Sequence, residues 1–192
     1  MSLDKYKSKR NFKETPEPKA TKKSGKDELI FVVQKHQATN LHYDFRLEAE
    51  GVLKSWAVPK GPSLNPADKR LAMMVEDHPF DYKDFEGIIP EGEYGGGEVI
   101  IWDNGTYNSL TSTDKKESER IISEGITKGE MKFVLNGKKL KGEFAMVKVK
   151  KWGKNAWLLI KHRDEFASDE NILKQDKSVV SGSTIKELKK KN

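Results

Sequence analysis

From residue 29 onward the chain is cut into short hydrophobic runs with the rhythm of strands. Leu29-Ile30-Phe31-Val32-Val33 is an apolar, β-branched run, which predicts a buried strand. Leu41, Tyr43, Phe45 and Leu47 alternate with His42, Asp44, Arg46 and Glu48. That period of two predicts a strand with one apolar and one polar face. Residues 55–58, 71–75, 99–102 and 156–161 read as further strands. Asp103-Asn104-Gly105 predicts a tight turn returning through Thr106-Tyr107, and Asn136-Gly137 predicts a second turn joining residues 131–135 to 144–149. Residues 117–124 predict a short helix ended by Gly125. Pro59-Lys60-Gly61-Pro62 and Asn65-Pro66 mark a loop. Many short strands with close turn signals and one weak helix describe a mainly-β fold, an antiparallel barrel or sandwich.

The flanks differ. Residues 1–28 are rich in Lys, Glu, Pro and Ser, too polar to fold alone, although Tyr6, Phe12 and Thr15-Pro16-Glu17-Pro18 could dock an arm on a body. Residues 167–192 are polar and Lys-rich, a helix-tending or frayed tail. The expected organisation is an arm (1–28), one β domain (29–166) and a basic tail (167–192).

Composition narrows the function classes. Of 192 residues, 35% are hydrophobic and 34% charged, so the core is lean. The net charge of +6 tilts toward polyanionic partners. With no Cys, disulfides, thiolate metal sites and Cys nucleophiles are excluded. No apolar run reaches the length of a membrane span, and the charged N-terminus has no secretory core segment. A soluble cytoplasmic protein, monomeric and without a membrane partner, is expected.

The candidate chemistry lies in the first strands. Two of the four histidines, His36 and His42, stand within nine residues of each other and Asp44. Residues two apart on a strand share a face with Cα atoms roughly 6.5 Å apart, so His42 and Asp44 can reach one ion. His36 joins them only if residues 37–40 turn the chain back, which would also bring in Gln34. Two imidazoles and a carboxylate make a mixed N/O shell suited to Mn, Fe or Zn with open positions. The same residues on a solvated sheet face would bind nothing, and the spacing does not separate the two readings. Arg46 continues the polar face and could grip a phosphate in bidentate fashion. Lys60, Arg70 and His78 are further cations, with Arg70 and His78 at matching strand parity; together they would surround a phosphoester's non-bridging oxygens. Gly95-Gly96-Gly97 lacks the Lys-Ser/Thr ending of a phosphate loop, so a tight turn or bulge is expected. His42-x-Asp44 with His162 fits an iron-oxygenase triad only loosely, and His162 is expected to be structural or exposed.

Several segments resemble the 3'-phosphoesterase domain of bacterial DNA ligase D. They are Phe31-Val32-Val33-Gln34-Lys35-His36, Leu41-His42-Tyr43-Asp44-Phe45-Arg46-Leu47, the stretch from Leu53 to Pro62, Glu76-Asp77-His78-Pro79, Ile89-Pro90-Glu91-Gly92 and Trp157-Leu158-Leu159-Ile160-Lys161. The likeness covers roughly residues 6–166. It implies a compact antiparallel β-barrel with short helices and a docked N-terminal arm. It also implies removal of a 3'-terminal ribonucleoside and then of the remaining 3'-phosphate, leaving a 3'-OH for end joining and repair. Manganese is the implied metal, with His36, His42 and Asp44 as ligands. Arg46, His78, Lys60, Arg70, Gln34 and Tyr82 would line the site, with His78 as general acid or electrostatic stabiliser. The family's arm carries an Arg-Asp pair and a following Glu; Arg10 and Glu17 match, while Asn11 stands where Asp is usual. The implied substrates are nucleic-acid 3' ends, DNA primer-templates with a 3'-ribonucleotide or 3'-phosphate. A DNA ligase and Ku are implied as partners by analogy. No ligase or polymerase segment accompanies these motifs, so a stand-alone version is expected. The competing function is a non-catalytic end-binding module, in which charge alone grips phosphates.

Overall fold

The computed structural model describes residues 3–190. In chain order the elements are α1 (Asp4–Ser8), β1 (Leu29–Gln37), β2 (Leu41–Ala49), β3 (Val52–Val58), β4 (Lys69–Met74), β5 (His78–Pro79), β6 (Gly87–Ile89), β7 (Gly97–Ser109), α2 (Lys115–Lys128), β8 (Glu130–Gly137), β9 (Lys141–Lys148), β10 (Ala156–Lys161) and α3 (Ile185–Lys190). Strands pair in the order β1-β2-β3-β4-β10-β9-β8-β7, and β7 pairs back onto β1. The result is a closed eight-stranded antiparallel barrel, which leaves no open edge. The short β5 and β6 add onto β3 and β7.

Alternation divides the apolar side chains into two layers. Phe31, Phe45, Trp56, Phe133, Phe144 and Trp157 fill the barrel interior. Phe45 stacks on Phe133, and Trp56 meets Trp157 edge to face. The second layer lies outside the barrel, where Val32, Leu53, Val99 and Ile101 are covered by Tyr6, Phe80, Tyr82 and Phe85. Tyr6 is fully buried, and its hydroxyl donates to the Pro18 carbonyl at 2.7 Å. Lys23 pairs with Asp81, and buried Glu48 accepts from the Ser24 hydroxyl and from the Gly25 and Ile30 amides. The polar N-terminal segment is thus held against the barrel by a few anchors rather than by its own core.

Four sequence expectations change. Asp103-Asn104-Gly105 is no turn; β7 runs straight through it. The Asp103 carboxylate instead accepts the backbone N–H groups of Lys138, Lys139 and Leu140, closing the turn between β8 and β9. Gly105 serves close strand approach, since a Cβ there would sit 2.1 Å from the Asn136 carbonyl oxygen. The β8–β9 turn itself is 138–140, one step past Asn136-Gly137, which stay in β8. The helix is longer than predicted: Asp114 caps it by accepting from the Glu117 amide, Gly125 lies buried within it, and Gly129 at φ 91° ends it. The C-terminal segment is not a frayed tail over most of its described length. Ile172 is buried at the barrel, the Trp102 indole and the Lys139 ammonium donate to the Gln175 carbonyl, and the Val179 amide donates to the Ile101 carbonyl. No described helix is long and apolar enough to cross a membrane.

Candidate metal centre

The β1–β2 hairpin turns at 38–40 and sets His36 opposite His42, Gln34 opposite Asp44 and Val32 opposite Arg46. Tyr43, Phe45 and Leu47 point into the barrel, so His42, Asp44 and Arg46 must project outward, toward the second layer. One donor atom each from His36, His42 and Asp44 lies within 4.8 Å of the others.

The hydrogen bonds fix which nitrogens are bare. His36 Nε2 lies 2.8 Å from the Gly95 carbonyl and His42 Nδ1 lies 2.9 Å from the Asn40 carbonyl. A carbonyl only accepts, so those nitrogens carry the protons. The other nitrogens, His36 Nδ1 and His42 Nε2, therefore turn lone pairs toward Asp44 at 3.4 and 3.7 Å. Burial by itself would raise the Asp44 pKa, but the Arg46 charge beside it outweighs that and holds the carboxyl well below the usual carboxylate range. Two lone pairs and an anionic oxygen facing one point repel each other unless a cation sits between them. That donor set, with each imidazole oriented by a carbonyl behind it, fits a divalent ion with N/O preference.

Arg46 stands beside this group and is almost fully buried. Its Nη2 reaches Asp44 at 3.1 Å, Nη1 donates to the Ser55 hydroxyl at 2.9 Å, and Nε donates to Gln34 Oε1 at 2.8 Å. Gln34 is itself pinned, donating to the Tyr82 and Phe85 carbonyls. A cavity of about 330 Å³ opens over these side chains, lined also by Arg10, Glu76, His78, Tyr82 and Tyr94.

The arm supplies Arg10. Its Nε donates to Glu17 at 2.9 Å, its Nη2 lies 3.3 Å from His78 Nε2, and its plane stacks on Tyr6 with 3.7 Å to the ring centre. Glu17, buried, also accepts from the Tyr82 hydroxyl at 2.7 Å and from Thr15. Asn11 accepts from the Lys13 amide, stabilising the turn after Arg10, and does not line the cavity. His78 Nδ1 faces the Glu76 carbonyl at 3.0 Å and so carries its proton there. Burial, then the Arg46 and Arg10 charges, push the His78 pKa well below its ordinary value. Burial and the neighbouring Glu17 push the Tyr82 phenol well above its own.

Two expected members stand apart. Lys60 is exposed just past β3, and Arg70 pairs with Asp68 at 2.8 Å; neither lines the cavity. Arg70 is two residues from core Ala72, so it has interior parity, whereas His78 begins a different strand, β5. The matching parity expected for Arg70 and His78 is lost because the chain leaves β4 after Met74. His162 contacts Glu143 and joins no described cluster with His42 and Asp44, so the oxygenase triad lacks its third member. The glycine run forms a turn whose Gly95 carbonyl orients His36. Ser55, Glu76 and Tyr94 had no role in the sequence reading. They come from three separate segments, and only the folded barrel shows that they meet.

A family model described as the DNA Ligase D 3'-phosphoesterase domain matches residues 34–148, more than half of the chain. This chain belongs to the DNA ligase D 3'-phosphoesterase family. Among relatives, the multifunctional non-homologous end joining protein LigD of Pseudomonas aeruginosa is 50% identical over 165 residues, 84% of this chain and 19% of that protein. Its counterpart from Mycolicibacterium smegmatis is 43% identical over 166 residues, 85% of this chain and 21% of that protein. The multifunctional non-homologous end joining DNA repair protein LigD of Mycobacterium tuberculosis is 40% identical over 176 residues, 91% of this chain and 21% of that protein. The chain thus spans about a fifth of the length of the curated relatives it matches. The family match covers the hairpin with both imidazoles, Asp44 and Arg46, and runs on to the end of β9.

Proposed function

We propose that this chain is a metal-dependent phosphoesterase that processes the 3' ends of nucleic acids. It removes a 3'-terminal ribonucleoside as a phosphodiesterase and a 3'-phosphate as a monoesterase, leaving a 3'-OH for DNA end joining. The observation that carries the reading is the convergence of two bare imidazole nitrogens and an ionised carboxylate beside a buried guanidinium.

His36 Nδ1, His42 Nε2 and Asp44 are the residues that would hold the ion, with manganese the metal implied by the family resemblance. When bound, such an ion supplies Lewis-acid polarisation of a phosphoryl oxygen and lowers the pKa of bound water. Arg46 keeps two of its five N–H donors uncommitted after Gln34, Ser55 and Asp44 are served, and these are offered to non-bridging oxygens. Gln34 and Ser55 fix the guanidinium plane, so its charge is in place before the reaction starts. Arg10 adds a second guanidinium, held by Glu17. His78, neutral at pH 7, has its one N–H turned to Glu76 and its lone pair to Arg10. That favours a role in positioning Arg10 over one as proton donor to the leaving oxygen. Tyr82 donates to Glu17, which favours a role in holding Arg10 over one at the reacting atoms.

Nucleic-acid ends are the proposed substrate, and a ligase and Ku are proposed partners by family analogy. The test is a labelled primer-template ending in a 3'-ribonucleotide or 3'-phosphate, incubated with manganese or with chelator. Shortening or dephosphorylation only with metal supports the enzyme. A gel shift that survives chelator, with no change in product, supports the end-binding module instead.

A further inference from the structure

The loop between β9 and β10 carries a feature that the cavity does not use. Residues 148–154 read Lys-Val-Lys-Lys-Trp-Gly-Lys, four cations and one large aromatic with no acid. Trp152 is 56% exposed, whereas Trp56, Trp102 and Trp157 are fully buried. Lys150, Lys151 and Lys154 are exposed, and none forms an ion pair with a carboxylate among the described residues, unlike Lys9, Lys54 and Lys161.

The loop is tied to the strand that leads into the cavity wall. The Met74 amide donates to the Asn155 carbonyl at 2.8 Å, and the next two residues, Val75 and Glu76, line the cavity wall. The sheet between them is apolar where an antiparallel barrel usually faces water with polar side chains. Ala57, in the cavity wall, pairs with Met73 on β4, and Leu71 on the same face pairs with Leu158 on β10. Met73 and Leu158 are half-buried and Leu71 is 38% exposed.

We propose that this face is the track for an unpaired stretch of the nucleic acid whose 3' end enters the cavity, with Trp152 stacking on a base and the loop lysines following its phosphates. The inference rests on the end-processing reading for its occupant. Unpaired cations around an exposed indole fit a single strand, because stacking tolerates any base and the lysines neutralise the backbone.

The experiment is anisotropy of a labelled single strand ending in a 3'-OH, measured in chelator across a salt series, so that no turnover is involved. Trp152→Ala is expected to weaken binding about tenfold with little change in salt slope. The combined Lys150→Ala, Lys151→Ala, Lys154→Ala variant should lower the slope of log affinity against log salt by about two. Binding should also quench the fluorescence of the one exposed indole, and Trp152→Phe should retain most of the affinity. Wild-type affinity and slope in both variants would overturn the proposal. A 3'-phosphorylated dinucleotide, too short to reach the loop, separates the two readings. If the wild type hydrolyses it, Trp152→Ala should match that rate while its KM for a long strand rises. If the wild type hydrolyses neither this nor a 3'-phosphorylated primer-template, the end-processing reading fails, and the anisotropy still decides the track.

Discussion

The two sides of the candidate site are built differently. The β1–β2 side owes its geometry to backbone register: once His36 faces His42, the donors converge, and the barrel core behind them enforces that register. The arm side has only one short helix and reaches the cavity through side-chain contacts, Tyr6 in the outer layer and Arg10 and Lys9 on Glu76. The same cavity thus has one wall that stands or falls with global folding and another that can detach locally. The lesson is that the candidate metal donors are as stable as the fold, while the second guanidinium is only as stable as the docking of the arm.

The largest expected effect is on the strand side. His42→Ala should keep the barrel intact and lower manganese-dependent turnover by more than about a thousandfold, since it removes one of the three donors proposed for the ion. Normal turnover in this variant would refute the assignment. Arg46→Lys, which cannot serve Gln34, Ser55 and Asp44 at once, should cost about a hundredfold in kcat with metal binding retained. On the arm side, Tyr6→Ala should weaken docking by about 3 kcal/mol. It should expose residues 4–28 to proteolysis and depress activity, while the barrel's own unfolding midpoint moves little. If barrel and arm lose stability together, the contrast between the two walls is wrong.

The smallest effect is a pH dependence. His78 is held neutral in the folded protein, with its pKa well below the unfolded value near 6.5. Between those two values the unfolded state binds one more proton, so stability falls as pH drops. Going from pH 7 to 5.5, the wild type should lose about 1 kcal/mol that His78→Asn does not lose, as read by denaturant unfolding. Equal losses would place the titration elsewhere.

Much of the strand side was legible before folding. Alternation at 41–48 sets the polar face, and the two histidines either side of a short polar turn are two strands of one hairpin. The misreadings share a cause. Asn104-Gly105 is a local turn signal overridden by a tertiary demand, the close pass of β7 against β8. Gly125 is a local stop signal overridden by packing against β8. Arg70 and His78 shared parity only on the assumption of one continuous strand, which breaks after Met74. Glu76 and Tyr94 carry no local pattern, since they are defined by what Lys9 and Arg10 reach across the chain. The docked C-terminal segment was hidden for a similar reason: Ile172 and Val179 are sparse anchors that average away in a polar composition.

The most direct test is a crystal of the protein grown with manganese and measured at the metal's absorption edge. The account predicts one anomalous peak in contact with His36 Nδ1, His42 Nε2 and an oxygen of Asp44, and its loss in His42→Ala. A peak elsewhere, or none at saturating manganese with the imidazoles still facing Asp44, would contradict it.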